Sequence, residues 1–232
     1  MMRMLRGGRD RHAVRVSELG LWTVPLGDDG VVVGVDADGR PAVLGVHRAD
    51  PYEVTLIGGL WTAQVLAVRV VGTGARVVVE TGRAAAWTTL AQAVGGDPPG
   101  LTLHGPGRVP EQRPSAHGPV LVVRDCGTRP PRRRVAAAPW QCVLTLLPCL
   151  GPEDRWLPAR SSVTGVQRVS PEEAGRLARL LHLPAEVAAA LPTLADGVTL
   201  WCTRREQRLV ATEGTEMEMG LLGVPRRVDP TY

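Results

Sequence analysis

The 232-residue chain contains no lysine, no asparagine and no phenylalanine, so all 27 of its basic residues are arginine. Without lysine it lacks the side chain with which nucleotide-binding loops grip the β- and γ-phosphates. Residues with AT-rich codons are missing together, the mark of a GC-rich bacterial genome. Drift accounts for that loss, but it does not restore a phosphate-binding lysine. Aromatics make up only 3% of the chain, too few to interleave with basic residues as nucleic-acid surfaces do. The net charge of +4 is mild, with many arginines beside acids, and nucleic acid is not an expected partner. The four cysteines, Cys126, Cys142, Cys149 and Cys202, form no C-x-x-C pair, and the five histidines are scattered singly. No metal site is expected; the thiols read as free and largely buried in a reducing cytosol. The longest apolar run, Leu60 to Val71, is too short to span a bilayer and carries Arg69. The opening MMRMLRGGRDRHAVR has charge but no apolar core, so no signal peptide is expected.

What is present suffices for a folded core, with 44% hydrophobic and 22% charged residues. A flexible basic arm is expected over 1–18, a single α/β domain over 19–223 and a tail over 224–232. Within the domain, 19–50 reads as a β-hairpin unit. LGLWTVPLG is followed by two apolar runs joined at Asp36-Ala-Asp-Gly39, a turn sequence between strands. From 51 onward, short continuously apolar strands alternate with helices. Strands are predicted at 54–57, 76–80, 101–103, 120–124, 142–147 and 163–168, with helices at 60–71 and 84–94. That alternation predicts a mainly parallel, buried sheet flanked by helices. Ser170-Pro171-Glu172-Glu173 reads as a capping box opening a helix to about His182, with His182 half-buried on its apolar side. A short helix from Pro184 follows. GVTLWCTRREQRLVATE then reads as a C-terminal hairpin turning at Arg204 to Gln207.

The junction from strand to Gly58-Gly59 to helix is where P-loop proteins hold phosphate. A P-loop requires G-x-x-x-x-G-K-[ST], with lysine on the phosphates and the hydroxyl on magnesium. Counted from Gly58, the second glycine falls on Ala63, the lysine on Gln64 and the hydroxyl on Val65. Thr62 and the helix amides remain as anion donors, but Leu60 and Trp61 put bulk where a phosphate approaches. The strand ending at 124 is followed by Asp125-Cys126, so the magnesium-orienting aspartate is present and cysteine stands in place of the catalytic glutamate. Gly58, Gly59, Thr62, Gln64 and Asp125 therefore mark a degenerate nucleotide site, with no catalytic residue and no cofactor expected. Ser161-Ser162 has no nucleophile elbow, and Cys126 with His117 has no thiol-protease signature. Glu213, Glu216 and Glu218 read as a solvated acidic end.

The stretch PLG…GVDADGRPAVLGVHRADPYEVTLIGG resembles the opening of FtsK-type and conjugation-type ATPase motors, where a D-G-R-P hairpin leads into the Walker A strand. The helix from Ser170, the LP…L…GV strand, the arginine hairpin and Thr215-x-x-Glu218 resemble the end of the same motors. GGLWTAQVLAVRVVGTGARVVVETGRAAAW with PWQCVLTLLP resembles actinobacterial type VII secretion components of the EccE type, and the likeness covers roughly 20 to 223. Such components carry N-terminal membrane helices and this sequence shows none, which implies a soluble paralogue or a truncated version. The resemblance implies a degenerate RecA-like scaffold that does no chemistry and takes no small-molecule substrate. It implies location at the cytoplasmic face of the membrane among type VII membrane-complex components and a secretion ATPase. Trp61, Trp87, Trp140 and Trp156, with Arg132, Arg133 and Arg134, are the interaction candidates. Two alternatives stay open: a nucleotide-binding regulator without hydrolysis, and a nucleic-acid-associated protein of a DNA-translocation system.

Overall fold

The computed structural model describes residues 30–128, 134–151 and 155–227. The expected arm, the LGLWTVPLG segment of the expected hairpin unit, and the last five residues lie outside them. Ten strands form one sheet: β1 (Val31–Asp36), β2 (Pro41–Leu44), β3 (Tyr52–Ile57), β4 (Arg76–Thr81), β5 (Leu101–His104), β6 (Val120–Asp125), β7 (Gln141–Leu147), β8 (Val163–Val166), β9 (Val198–Cys202) and β10 (Gln207–Ala211). Their order is β2-β1-β10-β9-β8-β3-β7-β6-β4-β5. From β8 to β5 every neighbour is parallel, and from β2 to β8 every neighbour is antiparallel. The two predicted hairpins are thus β1–β2 and β9–β10. They pair with each other through Val35 and Ala211, so they form one antiparallel wing continuous with the parallel block.

Among the described residues six α-helices accompany this sheet: α1 (Leu60–Gly72), α2 (Ala85–Ala93), α3 (Trp156–Arg160), α4 (Pro171–Leu181), α5 (Ala185–Ala190) and α6 (Glu216–Leu222). On one face, α1, α2 and α6 cover alternate residues of the parallel strands, among them Val54, Leu56, Val77, Val79, Leu144 and Leu146. The other face packs Ile57, Leu147, Val166 and Leu200 under Leu157, Ala174 and Leu177 of α3 and α4. β4 and β6 alternate between the two faces over their apolar runs Val77 to Val79 and Val120 to Val123, with Val78, Val120 and Val122 packed on the second face against Val109 and Val135, as expected for strands covered on both sides. α1 is buried nearly all round, the habit of an internal helix. Each of its fully buried leucines and valines contributes roughly 2 kcal/mol.

Two local readings change. The strand predicted over 163–168 stops at Val166, and Gln167 turns its side chain towards the Gly58-Gly59 junction. The capping box at Ser170 is half made. Ser170 Oγ accepts from the Glu173 amide at 3.2 Å, but the Glu173 carboxylate accepts from Leu150 N at 2.6 Å instead. The reciprocal box forms at the other end of the chain, between Thr215 and Glu218 at the start of α6.

Candidate functional site at the carboxyl ends of the parallel strands

In α/β sheets ligands settle outside the carboxyl ends of the strands, and β3 delivers Gly58 and Gly59 there. Gly58 N donates to Leu147 O at 2.9 Å. Gly59, the N-cap of α1, donates its amide to Gln167 Oε1 at 2.7 Å. The Gln167 amide group then donates to Thr62 Oγ1 at 2.7 Å and to Thr199 Oγ1 at 3.2 Å. A neutral side chain thus takes the Gly59 amide, one of the donors that would face a phosphate at this turn. A β-carbon at Gly58 would lie 2.5 Å from Gln167 Oε1, so glycine is what admits the glutamine.

The chain after α6 closes the remaining approach. A β-carbon at Gly59 would lie 2.6 Å from Arg226 O and 2.8 Å from Arg227 O. Carbonyl oxygens, the wrong polarity for an anion, therefore lie against the turn. Trp61 Nε1 donates to Gly223 O at 2.8 Å. The Arg227 guanidinium donates to Arg168 O and Pro148 O, each at 2.7 Å, and so fastens this segment across the strand ends. Gln64, in the position of the P-loop lysine, is buried and donates to Ala86 O at 2.7 Å, tying α1 to α2. Val65 is fully buried. Every residue the motif would have used for phosphate now holds the fold together.

Two strands away, at the end of β6, Asp125 is 1% exposed. Its carboxylate accepts from Arg83 Nε at 2.9 Å and Arg83 Nη2 at 2.9 Å. It also accepts from Trp87 Nε1 at 2.8 Å and Thr81 Oγ1 at 3.1 Å. A forked guanidinium has already neutralised the charge that would attract magnesium, and both oxygens are engaged. Beside it, the Cys126 thiol is pushed up to about 12, first by burial and then by the neighbouring Glu80 charge. It stays protonated at neutral pH and replaces neither a catalytic base nor a nucleophile. Glu80 itself pairs with Arg124 at 2.6 Å and accepts from Gly107 N at 2.6 Å. Among the described residues no three His, Cys, Asp or Glu side chains come together as metal ligands would.

The remaining candidates separate by burial. Trp61 and Trp87, at 1% and 0% exposure, leave the set of interface anchors, because each indole has an internal acceptor and an apolar surround. Trp140 is half-buried and adopts a left-handed conformation at φ 59, its amide donating to Arg48 O at 2.8 Å. Trp156 is 43% exposed, with the Arg134 guanidinium 5.9 Å from its ring centre. Arg132 and Arg133 lie outside the described residues. His182 is exposed rather than half-buried; it ends α4 in the left-handed region. Cys149 is exposed and Cys126 half-buried, whereas Cys142 and Cys202 are buried. Ser161 is committed to Thr55 Oγ1 at 2.7 Å and Leu157 O at 2.9 Å.

Glu218 is no solvated acid. It is 3% exposed and accepts from Arg69 Nε at 2.7 Å and Arg69 Nη2 at 3.0 Å. Burial alone would raise its pKa, but the Arg69 hydrogen bonds and the Thr215 amide outweigh that and hold it below the ordinary value. The residues that sequence reasoning missed, Gln167, Arg83, Arg69 and the 223–227 backbone, act on partners far along the chain. Only the Thr215-x-x-Glu218 spacing gave a local signal.

No family model matches this chain, and no curated protein matches it. Among solved structures, it is similar to that of VirB4 of Thermoanaerobacter pseudethanolicus, with a TM-score of 0.55 at 10% identity. The likeness covers 82% of this chain and 98% of that one. At that identity it speaks for the fold.

Proposed function

We propose that the chain is a non-catalytic structural and interaction component of a secretion apparatus, a pseudo-ATPase scaffold. The observation that carries this is the occupation of the phosphate position by Gln167 and by the carbonyl oxygens of Arg226 and Arg227. The engagement of Asp125 by Arg83, Trp87 and Thr81 supports it independently. Phosphoryl transfer works by positioned charge, and both positions that would supply it here are spent on internal pairs. The secretion setting draws support from the fold shared with the VirB4 structure. The type VII assignment rests on the sequence resemblance to EccE-type components.

In this reading the partners are membrane-complex components and a secretion ATPase, and the chain sits peripherally at the inner face of the membrane. Among the described residues no helix is long and apolar enough to cross a membrane. Contact surface is available at Trp156 and at Met217, Met219 and Val224 on and after α6, all exposed. Calorimetric titration of the full chain with ATP and magnesium tests the non-catalytic reading: no saturable heat is expected, and saturable binding overturns it. Affinity capture of the tagged chain from its native membrane tests the setting. Recovery of type VII components is expected, and their consistent absence removes the assignment.

A further inference from the structure

Arg69, Arg83, Arg124 and Arg208 each close on an acid of the fold. Arg160, Arg204 and Arg205 do not. All three are exposed, and among the described residues no carboxylate lies within ion-pair distance of them. Two come from the β9–β10 turn and one from the carboxyl end of α3, and they meet around one groove at the amino end of β8. Arg204 and Arg205 line a cavity of about 700 Å³ with Ser162 and Thr203. The same four residues, joined by Arg160, line an adjoining cavity of about 360 Å³.

The turn that carries two of these guanidiniums is held by its own hydroxyl. Thr203 N donates to Glu206 O at 2.8 Å, and Thr203 Oγ1 accepts from the amides of Arg205 at 3.2 Å and Glu206 at 2.9 Å. Its backbone is therefore fixed before any ligand arrives, which lowers the ordering cost of binding. On the opposite side, Ser162 N donates to Glu53 O at 2.7 Å, and Ser162 Oγ accepts from Glu53 N at 3.4 Å. Those bonds leave the hydroxyl hydrogen of Ser162 to be donated to a ligand. One acid, Glu206, stands on the same lining and is exposed, so the guanidiniums outnumber it. No tryptophan or tyrosine lines either cavity, and bases would find no ring to stack on. The charges flank a recess rather than a plane, a shape that suits a chain better than a bilayer surface. A single exposed ion pair contributes little. A run of carboxylates, each able to meet a guanidinium as a two-pronged pair, is held far better than one.

We propose that this groove docks an acidic segment of a partner protein, a run of Asp or Glu residues whose carboxylates meet Arg160, Arg204 and Arg205. The groove lies at the end of the sheet away from the Gly58-Gly59 junction and does not depend on the function proposed above. Fluorescence anisotropy of labelled hexaglutamate with the full chain tests it, with a glycine-serine hexapeptide as the neutral counterpart. At low salt the acidic peptide alone is expected to bind, with Kd of about 0.1 mM, and to weaken as added salt screens the charges. Arg204→Glu with Arg205→Glu should weaken it more than about tenfold, and Arg160→Glu, from the opposite wall, about tenfold. Arg108→Glu with Arg113→Glu makes the same change of net charge on the β5–β6 connection and should leave binding unchanged. All five positions are exposed, so the substitutions spare the core. Hexaglutamate that fails to bind overturns the proposal, as does equal weakening by the Arg108 and Arg113 pair. Binding that survives the Arg204, Arg205 and Arg160 variants overturns the location. Tighter binding of a DNA duplex or of phosphatidylserine vesicles through the same three arginines overturns the acidic peptide.

Discussion

At the carboxyl ends of the parallel strands, the donors and acceptors around the Gly58-Gly59 junction and Asp125 meet one another. Gly59 meets Gln167, Asp125 meets Arg83, and Trp61 meets the carbonyl of Gly223. At the amino end of β8, by contrast, Arg160, Arg204 and Arg205 make no ion pair among the described residues and stand around an open groove. In a fold of this class the first end is where ligands are expected. This chain has sealed that end and left the other open. Position in a fold therefore says where a site suits the architecture; the state of the polar groups says whether one is there.

Breaking the sealed end should be costly. Asp125→Ala strands the Arg83 guanidinium and the Trp87 indole, and a loss of about 3 kcal/mol is expected in urea or thermal unfolding. If Asp125 were instead a solvated magnesium ligand, its removal would leave stability unchanged. Gln167→Ala releases the Gly59 amide and the Thr62 hydroxyl together, and about 2 kcal/mol is expected in the same assay. The variant should still give no heat with ATP and magnesium, because the helix amides regained are not accompanied by a lysine. Recovered nucleotide binding would show that the glutamine alone had closed the site.

A third test reads the α6 seal through pH. The carboxyl of Glu218 is held below its ordinary value in the folded state, so the unfolded chain binds the proton more readily. Its contribution is complete above about pH 4.3, the unfolded value. It is lost as pH falls through the lower folded value. Glu218→Gln should flatten the stability profile within that acid window and leave the slope at neutral pH untouched. An unchanged acid slope would mean that Arg69 does not hold this carboxylate in solution. The smallest effect is expected outside both ends: Trp156→Ala should change stability by less than about 1 kcal/mol, since an exposed cation–π contact is worth little. Capture of membrane partners is its informative readout.

Local grammar made much of this architecture legible. α1, β4 and α2 follow one another with glycines between them, and the apolar runs are too short and too continuous to read otherwise. The cap at Ser170 and the turn between β9 and β10 are also written within a few residues. Long-range pairing was not. Trp61 read as a surface anchor because the carbonyl that accepts its indole lies 162 positions away. Glu218 read as solvated because Arg69 lies 149 positions away. Gln167 looked like the end of a strand because nothing near it marks Gly59, 108 positions earlier, as its partner. The closure of the Gly58-Gly59 junction is made of such pairs, whereas the missing lysine was visible at once.

The pairing of β1 with β10 bears on how the chain is made. Asp36 waits for Arg208, 172 positions later, before the antiparallel wing can form. During synthesis the β1–β2 hairpin must therefore leave the ribosome without its inner neighbour, with an unpaired strand edge on β1. Such edges recruit other chains, and contacts this distant in sequence form late and slowly. The wing is the last part of the sheet to become complete, and a growing polypeptide spends its most vulnerable interval with its first described strand unmatched.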